Sequence, residues 1–420
     1  MNKGISITTD KGKRVVKGLG YYKPREVSSI KELVKNSSRK YGNAPAFKFK
    51  DREGRVVTKT YKQLERDVDC LGTALISLGL KGERIAVIGE NRYEWSVCYF
   101  AVVNGTGIVV PMDKHLPGIE VENLIHRGKV KAIFYSPAYH DMMMEIANRN
   151  NMVKYFICME NLESINNTGE KFYSMPHLIK KGGELLESGD KSFVDAQIDI
   201  NEMSVLLFTS GTTSMSKGVM LSHYNIASNV TALTTVIRTQ PNDVYLSLLP
   251  LHHTFENTVG LMFMVHSGIC IAYSDGIKHV AKNLKEYKVT LLVAVPAILE
   301  AMYRRLQDGI RKSGREKTFK MLVNISEFLR RIGIDLRKKF FRSVLKEFGP
   351  NLRLSVSGAA PLDPEVIAGF DKIGLKLLQG YGMTETSPII TANNDFVNKP
   401  GTVGHPLAGI EVAIDSPDDD

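Results

Sequence analysis

The chain has 420 residues, enough for one large core or for two to three smaller ones. Apolar residues at 43% and charged residues at 24% exclude a mainly disordered polymer. Lys and Arg outnumber Asp and Glu by 55 to 45, a formal charge of +10 that favours an anionic partner such as a nucleotide, CoA, nucleic acid or an acidic membrane surface.

The N-terminal MNKGISITTDKGKRVVKG is basic but no apolar stretch follows it, so it does not read as a secretory signal. From residue 60 a strand–helix alternation sets in. YKQLERDVDCLGTALISLGL places Leu64, Val68, Leu71, Leu75 and Leu78 at helical spacing and ends at Gly79. The short apolar strand ERIAVIGEN follows, then a helical run from Tyr93 to Asn104, strand GIVVPMD, helix GIEVENLIHRG and strand KAIFYSP. Strands without polar alternation are those of a parallel sheet covered on both faces. A polar, Gly-rich stretch at 160–200 reads as a mobile connection. Beyond it VLLFTS, DVYLSLLP, ICIAYS, VTLLVAVP and LRLSVSG repeat the pattern.

From 393 the pattern changes to short strands and turns, NKPGTVGHPLAGIEVAID, with no closing strand after it. The expected fold class is α/β, with two parallel-type α/β sheets packed in one large domain and a small, incomplete β subdomain. The boundaries fall at 1–195, 196–390 and 391–420, and the natural protein is expected to continue past residue 420.

The longest apolar runs, near 258–273 and 289–302, are interrupted by His266 or Pro296 and fall short of a membrane span. Cys70, Cys98, Cys158 and Cys270 are far apart with no CxxC pair, so buried free thiols in a reducing, cytoplasmic setting are expected. The charge is concentrated. Between Arg304 and Lys346 stand fourteen basic residues against Asp308, Glu316, Glu327 and Asp335, which accounts for the whole excess. FKMLVNISEFLRRIGIDLRKKFFRSVLKEFG places Leu322, Ile325, Phe328, Leu329, Ile332 and Leu336 on one side, with cations between. Two readings stay open: a solvated helical face packed on the domain, or a peripheral membrane contact through 304–346. The segment lacks interleaved aromatics for stacking on bases, which argues against nucleic acid.

The most informative segment is LLFTSGTTSMSKGVMLSH, residues 206–223. An apolar strand enters a loop of small and hydroxylated residues, then meets Lys217 and an expected helix start. Such a loop lets backbone N–H groups approach a phosphate, with Ser210, Thr212 and Thr213 as hydroxyl donors and Lys217 as a point charge. It is not the Walker pattern, because Lys217 precedes Gly218.

TSGTTSMSKGVMLSH resembles the phosphate-binding signature of the superfamily of acyl-CoA synthetases, peptide-synthetase adenylation domains and luciferases. Three further segments resemble its motifs in the same order: LPLHHTFE (249–256), SVSGAAPL (355–362) and QGYGMTETSP (379–388). ERIAVIGENRYEW and GIVVPMDKHLPGIEVENLI are most similar to the long-chain fatty acyl-CoA synthetase branch, and the resemblance spans roughly 25–415 as its N-terminal large domain.

The resemblance implies ATP, Mg²⁺ and CoA as cofactors and co-substrates and a fatty acid as substrate. It places Thr209, Ser210, Gly211, Thr212, Thr213 and Lys217 over the β- and γ-phosphates. Gly358, Ala359 and Ala360 would face the adenine or the acyl carbonyl. Gln379, Gly380, Tyr381, Gly382, Met383 and Thr384 would form the adenylate motif, with Tyr381 near the adenine ring and Thr384 on phosphate. Glu385 would help hold Mg²⁺, and His253 would stand at the carboxylate pocket. The plainer alternatives are structural histidines at His252–His253 and an ordinary helix cap at Thr384–Glu385.

Two departures stand out. Where the family has Gly-x-Pro-Lys, this chain has Ser214-Met215-Ser216-Lys217. The family's ribose-binding aspartate, hinge and C-terminal lysine have no counterpart within residue 420, so the C-terminal lid domain is expected to be absent and turnover by this length of chain poor. Three functions remain: a medium- or long-chain fatty acyl-CoA synthetase, an acyl-AMP ligase feeding an acyl-carrier protein, or a non-catalytic nucleotide- or acyl-binding regulatory homologue. Homo-oligomerisation stays open.

Overall fold

Apolar runs without alternation form parallel strands here, since a strand covered on both faces has no side left for polar residues. The computed structural model describes residues 4–10, 12–161, 171–209 and 216–415. The chain divides into two compact units: a first of Glu26–Val230 and Pro250–Gly268, and a second of Met1–Arg25, Thr231–Leu249 and Ile269–Asp420.

In the first unit the sheet runs, edge to edge, through Lys217–Ser222, Met203–Thr209, Ile108–Met112, Arg84–Ile88, Val130–Tyr135, Tyr155–Cys158 and Phe172–Ser174. Arg84–Ile88 lies between two parallel neighbours, while Lys217–Ser222 joins its edge antiparallel. Val110, Met112, Ile125, Ile133 and Phe156 are fully buried or nearly so in its core. Helix Tyr61–Ser77 starts in a capping box in which Thr60 and Gln63 satisfy each other's backbone N–H groups. Its Leu64, Val68, Leu71 and Leu75 are buried, as their spacing predicts. The helix from Tyr93 ends in a widened π turn at Val102–Thr106.

The stretch 160–200 is not simply a connection. Residues 162–170 lie outside the described ones, but Met175–Glu187 is a helix capped by Ser174, whose side chain accepts from the His177 N–H. Its Gly182 lies so close to helix Tyr61–Ser77 that a Cβ would stand 1.7 Å from the Cys70 carbonyl oxygen. Gly182, one of the glycines that suggested looseness, is instead the point of a close helix crossing.

His223 is buried, and its two ring nitrogens have different partners. Nδ1 accepts from the Ile30 N–H at 3.1 Å, and Nε2 donates to the Val103 carbonyl at 3.0 Å. Burial pushes this imidazole down to about 4. As pH falls below about 6.5 the unfolded chain binds a proton that the folded chain refuses until near 4, so stability is lost across that window. The loss approaches about 3 kcal/mol at its acid end. Thermal midpoints should therefore fall between pH 6.5 and 4, and His223→Gln should flatten that slope. The slope should not vanish, because His252 is also pushed down to about 4, chiefly by burial. An unaltered slope in the variant would refute the assignment.

In the second unit the strands follow the order His405–Pro406, Ile389–Ala392, Lys376–Gly382, Leu354–Ser357, Leu291–Ala294, Val244–Ser247, Cys270–Tyr273. The strands from Lys376–Gly382 to Cys270–Tyr273 are parallel and the two at the other end antiparallel. Leu246, Leu292, Leu299, Phe370 and Leu377 form its core. At the strand entrances buried Asp243 accepts from Thr290 Oγ1 at 2.8 Å and Arg353 Nε at 2.9 Å. A separate three-stranded sheet joins Ile5–Asp10, Lys13–Gly18 and Glu411–Ala413. The small β unit, expected to be left unfinished for want of a closing strand after it, has its strand at 411–413 paired antiparallel with the N-terminal hairpin, and Lys17 Nζ reaches Glu411 at 2.9 Å. All four cysteines are buried and free. Among the described residues no helix is long and apolar enough to cross a membrane.

Candidate active site

The expected site residues fall on both units and are taken unit by unit. In the first, Met203–Thr209 and Lys217–Ser222 pair antiparallel with Thr209 opposite Lys217, so the two ends of the segment between them are held side by side. Ser210, Gly211, Thr212 and Thr213 lie outside the described residues. Lys217 does not precede a helix directly, as the sequence suggested: it opens a strand, and the helix begins at His223. The lysine is exposed and forms no ion pair with a described residue.

What holds this segment is a residue that sequence reasoning missed. Arg127, in the last turn of helix Gly118–Gly128, donates from Nη1 to Ser216 Oγ at 2.7 Å and from Nη2 to the Ser216 carbonyl at 2.5 Å. Its guanidinium also lies 5.2 Å from the centre of the Phe208 ring. Arg127 therefore clamps both flanks of the segment that leads to Lys217. Ser216 stands where the resembled pattern has proline, and it supplies a hydroxyl that proline lacks. A separation of 89 residues leaves no local signal for this pair.

The double histidine follows Leu251, whose N–H donates to Asn91 Oδ1 at 3.1 Å, and the His253 N–H donates to the Pro250 carbonyl at 3.0 Å. The two imidazole rings are 4.1 Å apart. His252 is largely buried, with Nε2 at 3.8 Å from Asp113 Oδ2, while His253 is exposed. Burial lowers His252 to about 4, helped by the charge of His253 and opposed by Asp113. His253 is lowered too, by desolvation against Asp113's opposing charge. Both rings are neutral at neutral pH, able to donate at one nitrogen and accept at the other. The pair is thus divided: one ring is packed, and His253 is the one available to a ligand.

In the second unit Gly358, Ala359 and Ala360 leave the carboxyl end of strand Leu354–Ser357, beside Lys376–Gly382, with Ser357 opposite Gln379. The outer carboxyl ends of parallel strands are where α/β sheets take ligands. Ala359 holds φ at 71°, a conformation that costs an L residue energy, and Ala359 and Ala360 are exposed. Gln379 is buried at 6% exposure, yet its Oε1 has no hydrogen-bond partner among the described residues, nor have Ser355 Oγ and Ser357 Oγ. Each such group costs about 1–3 kcal/mol when left unsatisfied.

Gly380 and Gly382 let the chain pass its neighbours: a Cβ at Gly382 would meet the Pro388 carbonyl oxygen at 2.0 Å. Tyr381 is 49% exposed and Met383 46%. Thr384–Thr386 is a single 3₁₀ turn, tied by the Met383 N–H donating to Thr386 Oγ1 at 3.0 Å, and a strand follows it. The turn is capped by Met383 and no α-helix follows, so Thr384 is not a helix cap, while Glu385 is the acid of this single turn. Glu385 is exposed and forms no ion pair with a described residue. No cluster of three or more His, Cys, Asp or Glu suited to a metal occurs among the described residues. A lone open carboxylate still fits Mg²⁺, which commonly takes one or two carboxylates and completes its shell with water and substrate phosphate.

Residues 34–420 match the family described as AMP-binding enzyme. The chain is 26% identical to a chloroplastic long-chain-fatty-acid–[acyl-carrier-protein] ligase of Arabidopsis thaliana, covering 94% of this chain and 60% of that protein. It is also 26% identical to long chain acyl-CoA synthetase 4 of the same plant, over 94% of this chain and 63% of the relative. Among solved structures, a long-chain-fatty-acid-CoA ligase from Archaeoglobus fulgidus superposes with a TM-score of 0.69 at 18% identity, covering 93% of this chain and 71% of that one. The chain spans about half to three-fifths of the length of the curated relatives it matches.

Proposed function

Since the chain belongs to the AMP-binding enzyme family, we propose that it serves the ATP-dependent activation of a medium- or long-chain fatty acid and its transfer to CoA. A carboxylate oxygen attacks the α-phosphorus, the α–β anhydride bond breaks, and pyrophosphate leaves. The thiol of CoA then attacks the acyl carbon, and AMP departs.

Both partners in the first step are anions, so the protein's task is to offset repulsion and fix geometry, with no protein nucleophile. Lys217 supplies positive charge to the departing phosphates, together with donors from Thr209 to Thr213. Glu385 would hold a Mg²⁺ ion, which when bound neutralises phosphate charge. Thr384 donates to phosphate, Tyr381 offers a ring face to adenine, and the backbone of Gly358, Ala359 and Ala360 borders adenine or acyl carbonyl. Neutral His253 orients the carboxylate without adding charge.

The observation that carries this reading is the set of buried polar atoms on Gln379 and Ser357, opposite each other on adjacent parallel strands, that have no hydrogen-bond partner among the described residues. Their cost is offset when a polar ligand pairs with them. An acyl-carrier protein as acceptor is the second reading, favoured by the similarity to a ligase of that name. A cytoplasmic setting is proposed with either.

The test is carboxylate-dependent exchange of pyrophosphate into ATP by the full-length gene product, across fatty acids of rising length, aromatic acids and amino acids. Exchange with fatty acids is expected, and CoA or carrier protein as second substrate then separates the acceptors. No exchange with any carboxylate would overturn the catalytic reading in favour of a regulatory, binding-only protein.

A further inference from the structure

Helix Glu316–Arg331 has two apolar faces, and only one of them is used inside its own unit. Phe319, Leu322 and Val323 pack on the core formed by residues such as Leu306, Phe341 and Phe370. On the opposite side Met321, Ile325, Phe328 and Ile332 are exposed by 54, 42, 64 and 60%. Their spacing of four, three and four residues sets them in one line along the helix and its cap. The structure thus separates Leu322, expected on the same side as Ile325 and Phe328, from the residues that face solvent. Isolated exposed apolar side chains are ordinary, but four in register make a strip.

The charges beside the strip divide as well. Arg330 is held by Glu327 and Asp371, and Arg337 by Asp335 and Asp371. Lys317, Lys320, Arg331, Lys338 and Lys339 are exposed and form no ion pair with a described residue. On the helix circumference Lys317, Lys320 and Arg331 flank one edge of the strip. Apolar side chains edged by uncommitted cations match a surface that is anionic outside and apolar beneath.

We propose that this face docks on an anionic lipid surface, with Met321, Ile325, Phe328 and Ile332 entering the headgroup–acyl boundary and the flanking cations meeting lipid phosphates. A second copy of the chain is the poorer occupant, because a symmetric contact would bring like-charged edges together. The opposite face keeps its core contacts throughout, so docking requires no unfolding. The inference does not depend on the proposed reaction, since vesicle binding needs no turnover.

The test is co-sedimentation of the intact protein with vesicles of phosphatidylcholine alone and of phosphatidylcholine with phosphatidylglycerol. Binding is expected to the anionic vesicles and to weaken with salt. Ile325→Asn with Phe328→Asn should reduce partitioning at least about tenfold. Lys317→Glu with Lys320→Glu and Arg331→Glu should abolish the preference for phosphatidylglycerol. Thermal unfolding should be unchanged in both variants, as these side chains are exposed. Failure of the wild-type protein to bind anionic vesicles at low salt would overturn the proposal. So would wild-type binding by the Asn variant, or a concentration-dependent dimer that this variant abolishes, which would assign the strip to a second copy. Absence of pyrophosphate exchange would leave each of these results untouched.

Discussion

Lys217→Ala is expected to lower fatty-acid-dependent pyrophosphate exchange by about 10²- to 10³-fold, the usual cost of removing one preorganised charge or donor from a developing anion. The same substitution should leave the thermal midpoint unaltered, because the side chain is exposed and has no ion partner among the described residues. Loss of activity without loss of stability is what separates a ligand contact from a structural one. Arg127→Ala should act on the same step through Lys217, by releasing the clamp on Ser216 and Phe208. Its effect should be smaller and fall more on the KM for ATP than on kcat, and Arg127→Lys should restore it only in part, since lysine cannot span the hydroxyl and the carbonyl with a planar fork. Wild-type exchange in Lys217→Ala would remove the phosphate role from this lysine.

Gly182→Ala should be among the most damaging single-methyl changes in the first unit. The added carbon would stand 1.7 Å from the Cys70 carbonyl oxygen and 3.2 Å from the Ala74 nitrogen, both in the rigid backbone of helix Tyr61–Ser77. The two helices must separate, at a cost of about 3 kcal/mol or more. Gly183→Ala, one position on, is the control. Its Cβ would meet the Cys70 sulfur at an ordinary 3.6 Å, and helix propensity favours alanine there by roughly 0.5–1 kcal/mol. Chemical denaturation of both variants checks the pair. Equal midpoints would show that the crossing is looser than its geometry.

These glycines also show where the sequence can be read and where it cannot. Strands such as Arg84–Ile88 and Leu291–Ala294 are legible because burial on both faces selects apolar residues, all of them apolar here but the half-buried Arg84 at the strand entrance. The helix Met175–Glu187 was not, because a Gly-Gly pair looks the same whether it loosens a loop or lets two helices touch. By sequence alone Lys217–Ser222 reads as the approach to a helix. Its strand character comes from pairing with Met203–Thr209, a tertiary fact. Motif order located Lys217, His253, Gly358 and Glu385 along the chain, but not that the chain passes four times between two units on the way. The Arg127–Ser216 clamp and the burial of Gln379 Oε1 without a partner among the described residues depend on neighbours distant in sequence, and no periodicity encodes them.

The sheet that joins Lys13–Gly18 to Glu411–Ala413 has a consequence for how the chain is made. Lys17 and Glu411 are 394 positions apart. At synthesis rates of about 5–20 residues per second, the hairpin would wait roughly 20–80 s for its third strand to leave the ribosome. During that interval the edge of Lys13–Gly18 that Glu411–Ala413 later covers would present open backbone groups to any other nascent chain. Lys13, Arg14 and Lys17 lie along this strand, and their charge discourages such pairing until the proper partner arrives.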